Sequence, residues 1–85
     1  MYYAVVPKTS ESGLVYELWE VKVGWFGKKR LTNVLCELGV FINPNDDLLH
    51  HAPVKTYPSV SLAAKDLERL RGDESLFKLT DWRFG

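Results

Sequence analysis

A single cysteine, Cys36, stands in this 85-residue chain. One thiol cannot make an internal disulfide, so the fold is not held by a disulfide framework. Net charge is also missing: 11 basic residues balance 11 acidic ones. That balance argues against coating nucleic acid or an anionic membrane, and it removes net repulsion between copies, so a homodimer is not discouraged. No apolar run approaches the roughly 20 residues that span a bilayer. The start, Met1 to Pro7, carries no basic leader and too short an apolar stretch for a signal peptide. These absences point to a cytoplasmic protein with no membrane partner.

Catalytic signatures are lacking as well. There is no glycine-rich phosphate loop, nucleophile elbow or kinase-type motif. His50 and His51 are the only histidines, and neither they nor Asp46 and Asp47 fall in a recognised zinc or calcium spacing. Cys36 sits in an apolar context, where a thiol is usually an inert small hydrophobe. Glu17 and Glu20 point to opposite faces of one expected strand and do not form a carboxylate pair. The expectation is a non-enzyme with no catalytic residue, no metal and no cofactor. A metal- or thiol-dependent enzyme built on His51, Asp47 or Cys36 is the third reading.

What the chain does have is large apolar side chains: three Trp, four Tyr and four Phe, with 46% hydrophobic residues overall. That is enough to fill the core of one domain spanning residues 1–85. Tyr3 to Val6 reads as a short strand closed by Pro7, and Lys8 to Gly13 as a polar loop. Leu14 to Val23 is the clearest strand. Its first half is apolar on both sides and its second half alternates, with Glu20 and Lys22 on a wet face. These two strands are expected to pair antiparallel.

Arg30 to Leu38 admits two readings. As a strand, Thr32, Val34, Cys36 and Leu38 share a face. As a helix, Leu31, Val34, Leu35 and Leu38 fall at i, i+3, i+4 and i+7, with Gly39 beyond the end. Val40 to Ile42 reads as a short strand, Asn43 to Asp47 as a turn, and Val54 to Tyr57 as an edge strand. Ser59 to Arg71 is the most secure element: Ser59 or Ser61 caps it, Val60, Ala63, Ala64, Leu67 and Leu70 form its apolar stripe, and Gly72 stops it. Lys65 with Glu68, and Glu68 with Arg71, are spaced for ion pairs. Leu76 to Thr80 reads as a last strand.

The fold class that follows is α+β: a small two-layer sandwich with a mainly antiparallel sheet of three to five strands. A helix at about 59–71 covers one face, and a second short helix at about 30–38 is the alternative to a strand there. With a strand-rich first half followed by Ser61-Leu62-Ala63-Ala64-Lys65-Asp66-Leu67, the chain resembles in pattern three-stranded-sheet-plus-helix domains, some of which bind DNA through the sheet. A likeness at the level of fold does not license function.

Two features stand outside the elements. Lys22, Lys28, Lys29 and Arg30 lie between Val21 and Leu31 with no acid among them, and Trp25 and Phe26 sit at the tip of the same turn. Trp82 and Phe84 lie in the tail. Solvated cations beside aromatics folded back on the sheet, and a tail that plugs the core, are the bland interpretations. Exposed Trp and Arg are also the residue types that anchor protein interfaces. The leading functional expectation is therefore a protein-binding module (an adaptor, regulator or inhibitor, of a kind that would suit a phage or mobile element). Its binding residues would be Trp25, Phe26, Lys28, Lys29, Arg30, Trp82 and Phe84. The alternative is a nucleic-acid binder using the same basic turn. Four phosphate contacts would give single-strand affinity a log–log salt slope of about −2.8. The remainder of the chain is net acidic, which weakens that alternative.

Overall fold

A computed structural model describes residues 2–72 and, for the backbone, 79–81. The order along the chain is β1 (Tyr2–Ser10), β2 (Gly13–Val23), β3 (Lys29–Leu35), β4 (Phe41–Ile42), β5 (Thr56–Tyr57), α1 (Val60–Arg71) and β6 (Leu79–Asp81). The fold is α+β, with a mainly antiparallel sheet in the order β4-β3-β2-β1-β6 and β5 paired to β2 beside β3. Among the described residues no helix is long and apolar enough to cross a membrane.

β1 and β2 form a long hairpin with a two-residue turn, in register from Tyr2 opposite Val21 to Ser10 opposite Gly13. The first strand therefore does not end at Pro7, and the expected polar loop is mostly strand. β6 runs beside Tyr3 to Val5 only. At Pro7 the far side of β1 has no described neighbour, and proline is tolerated where its missing N–H faces an open edge.

The 30–38 segment is a strand as far as Leu35, not a helix, and Glu37 and Leu38 belong to the turn that follows. β3 pairs with β2 from Val23 opposite Lys29 to Trp19 opposite Val34. This pairing satisfies the edge of β2 and leaves Val34, Leu35 and Cys36 without exposure. The helical stripe would have needed Leu38 in the core, yet it is exposed. Gly39 does adopt the left-handed conformation, but in the tight turn between β3 and β4, where its N–H donates to the Cys36 carbonyl (2.9 Å). A helix end and a tight turn ask the same thing of a glycine.

α1 begins where expected. The Ser59 hydroxyl accepts from the Leu62 N–H, and Gly72 ends the helix at φ 80°. The pairings explain where it lies. β5 is antiparallel to β2, β2 to β1, and β1 is parallel to β6. β5 and β6 thus run the same way with β2 and β1 between them, and a parallel pair needs a crossover. α1 is that crossover, laid over the two strands it skips. Ala63 and Leu67 enter the core with Tyr3, Val5, Leu18, Leu35 and Tyr57, and Leu70 packs against them. Val60, assigned to the same stripe, is 37% exposed, because it opens the helix beyond the edge of this cluster.

The opposite face of the sheet is also dry in part. Ala4, Trp19 and Val34 stand opposite one another across three strands, and Ala4, Val6 and Val34 have no exposure. Glu20, expected on a wet face, is buried between Tyr3 and Asn33 in the sheet. Its Oε1 accepts from the Asn33 amide at 3.1 Å.

Candidate functional site

The β2–β3 hairpin ends in Gly24-Trp25-Phe26-Gly27-Lys28. The Gly24 N–H donates to the Lys28 carbonyl (2.7 Å) and closes the loop. Within it Phe26 (φ 64°) and Gly27 (φ 74°) are both left-handed, and Phe26 is the only non-glycine residue with positive φ among those described. An aromatic residue there is strained, since its Cβ crowds the backbone. Both rings of the turn stand in solvent: Trp25 is 88% exposed and Phe26 98%. The aromatics do not fold back onto the sheet.

Behind the tip lies an open groove of about 770 Å³, lined by Lys22, Val23, Gly24, Trp25, Lys28, Lys29 and Arg30. Its cations come from both strands. Lys22 stands directly opposite Arg30, and Val23 opposite Lys29. Like charges facing each other across strands destabilise a sheet. None of the four side chains is in an ion pair or hydrogen bond among the described residues. The arrangement can therefore receive an anionic group on the basic rim while apolar surface meets Val23 and Trp25.

Of the expected binding residues, Trp25, Phe26, Lys28, Lys29 and Arg30 converge on this hairpin end, and Lys22 and Val23 join them through register. Trp82 and Phe84 lie outside the described residues. Cys36 is fully buried and its backbone bridges to Val54, while His50 and His51 are exposed. Among the described residues no three His, Cys, Asp or Glu side chains gather into a metal-binding group.

A second cluster escaped the sequence reading. Asp66 on α1 accepts from the Tyr57 hydroxyl, pairs with Lys55 (2.9 Å), and accepts from Arg69 Nε (2.9 Å). The expected Lys65–Glu68 and Glu68–Arg71 pairs are absent among the described residues. Burial raises the Tyr57 hydroxyl well above its ordinary range, and the bond to Asp66 adds to it. This cluster ties β5 to the helix and leaves the carboxylate no free valence for a ligand. Only the tyrosine could have betrayed it in the sequence: a buried Tyr needs a partner for its hydroxyl.

Phe26→Gly tests whether the tip is strained and unsupported. Relief of the left-handed cost, less the entropy of glycine, should raise stability by about 0.5–1 kcal/mol in urea melts. A loss of about 1 kcal/mol instead would mean that the ring makes contacts worth keeping.

No family model matches the chain, and no curated protein or solved structure matches it either.

Proposed function

We propose that the chain is a non-enzymatic binding module that engages another protein through the Trp25–Arg30 end of its long hairpin. The observation that carries this reading is the exposure of Trp25 and Phe26 on a turn closed by its own backbone bond. A small domain short of core has every reason to bury such rings, because each removes roughly 150–250 Å² of surface from water. Two held in solvent on a strained backbone mark a surface that is covered only when a partner is present. Trp and Arg are also the commonest energetic anchors of protein interfaces. An adaptor, regulator or inhibitor fits such a module, and a cytoplasmic setting suits its lone buried thiol.

The test is affinity capture from the source cells, with wild type and Trp25→Ala/Phe26→Ala compared. The paired substitution should weaken the captured complex by about 30-fold or more, the scale of losing an interface anchor. Its melting temperature should not fall, since neither ring packs on the core. Identical partners at identical yield with both proteins would remove the hairpin end as the binding surface.

A further inference from the structure

Resting on that reading, we infer that the segment received by the hairpin end is an acidic, extended stretch of the partner protein, which adds as a strand to the outer edge of β3. β4 pairs with β3 only at Val34 and Leu35. Along Lys29, Arg30 and Leu31 the outer side of β3 has no neighbouring strand among the described residues. Alternate residues of a strand turn N–H and C=O to each side, so this stretch presents unpaired backbone groups. Proteins blunt such edges with lysine and with bulges, and both are here. Lys29 and Arg30 occupy the edge, and the register slips between Glu20 and Val21, leaving Thr32 as the extra residue on β3.

The same device selects by charge. A neutral strand gains nothing against Lys29 and Arg30, and a basic strand is repelled. Arg30 shares a sheet face with Lys22, and Lys29 shares the other with Val23, so an acidic strand gains twice on the first face: its carboxylates meet Arg30, and they relieve the repulsion between Lys22 and Arg30. Its alternate side chains would then fall toward Val23 and Trp25, so an acidic residue followed by an apolar one is the complementary pattern. Main-chain bonds supply affinity in this mode and alternate side chains supply choice. The exposed Trp25 and Phe26 adjoin the open end of this edge and cover the incoming strand.

The probe is a fluorescein-labelled synthetic peptide of alternating Glu and Val, followed by anisotropy at low ionic strength. Wild type should bind it, and Lys29→Glu/Arg30→Glu should weaken binding by about tenfold or more. That variant removes a like-charge repulsion and should fold; Lys29→Ser/Arg30→Ser is the second version. Two further peptides carry N-methyl groups on one or the other alternating set of amides. One set should abolish binding and the other spare it, which simple charge attraction would not produce. No binding of the parent peptide, or equal behaviour of the two methylated peptides, overturns the inference. So does a thymidine oligonucleotide that binds in the peptide's place. If Trp25→Ala/Phe26→Ala loses its captured partner while Lys29→Glu/Arg30→Glu keeps it, the acidic strand is wrong and the protein-binding reading stands.

Discussion

Leu67→Ala should lower the unfolding free energy by about 3 kcal/mol, within the 2–5 kcal/mol range for emptying a buried leucine site. Leu67 has no exposure and lies among Tyr3, Val5, Leu18, Leu35, Tyr57 and Ala63. Those neighbours come from three strands, β5 and the helix itself, so no single element can shift to close the void. Alanine is the best helix former, which means the backbone contributes nothing to the loss. For a domain of this size, about 3 kcal/mol moves the melting temperature by roughly 12–24 °C. Val60→Ala supplies the contrast: 37% exposed at the helix start, it should cost under about 0.5 kcal/mol. Urea denaturation of both variants measures the difference. A Leu67→Ala cost near that of Val60→Ala would mean that α1 does not lid the sheet.

The core and the hairpin end are separable in consequence. Leu67 sits over β2 and β1 because the β5–α1–β6 crossover must step across them, whereas Trp25 and Phe26 project beyond the last paired residues of β2 and β3. Substitutions at the tip therefore read out binding without disturbing the fold, and substitutions at Leu67 read out the fold.

The sequence spoke most clearly where one pattern had one interpretation. Ser59, the spacing of Ala63 and Leu67, and Gly72 define α1 because cap, stripe and stop agree. Leu14 to Val23 is long enough for its alternation to be read. Leu31 to Leu38 was ambiguous because the same leucines satisfy a helical stripe, and what decides against it is the unpaired edge of β2, a fact about tertiary structure. The burial of Glu20 is hidden in the sequence for a related reason. Alternation put it on a face, but only pairing with Tyr3 and Asn33 shows that this face is covered there. The parallel placement of β6 beside β1 leaves no mark in local sequence at all. At the hairpin end, the residue types were legible and their exposure was not. Nothing in Gly-Trp-Phe-Gly says whether the rings turn inward, or that Phe26 takes a left-handed backbone. The facing of Lys22 and Arg30 follows from register, which the turn length alone did not fix.

Acid should remove a defined part of the stability through Asp66. Burial alone would raise its carboxyl, but hydrogen bonds from Tyr57, Lys55 and Arg69, with the Lys55 charge, outweigh it and hold the group at about 2 against an ordinary 3.8. In the unfolded chain the carboxyl takes up its proton first as pH falls, so between these values the unfolded state binds more protons than the native one. The contribution is therefore complete above about pH 4 and drains away as the pH falls through 2; it amounts to roughly 1–2 kcal/mol, once the solvent exposure of Arg69 is allowed for. Asp66→Asn keeps the shape and an acceptor for the Tyr57 hydroxyl but cannot carry the charge. It should cost about that amount at neutral pH, with the gap between variant and wild type closing as the pH falls toward 2. Urea melts of both proteins across the acid range measure the gap directly. A gap at low pH as wide as at neutral pH would mean that the ionised carboxylate is not what joins Lys55 and Tyr57 to the helix, and that packing around Tyr57 alone fixes α1 against β5.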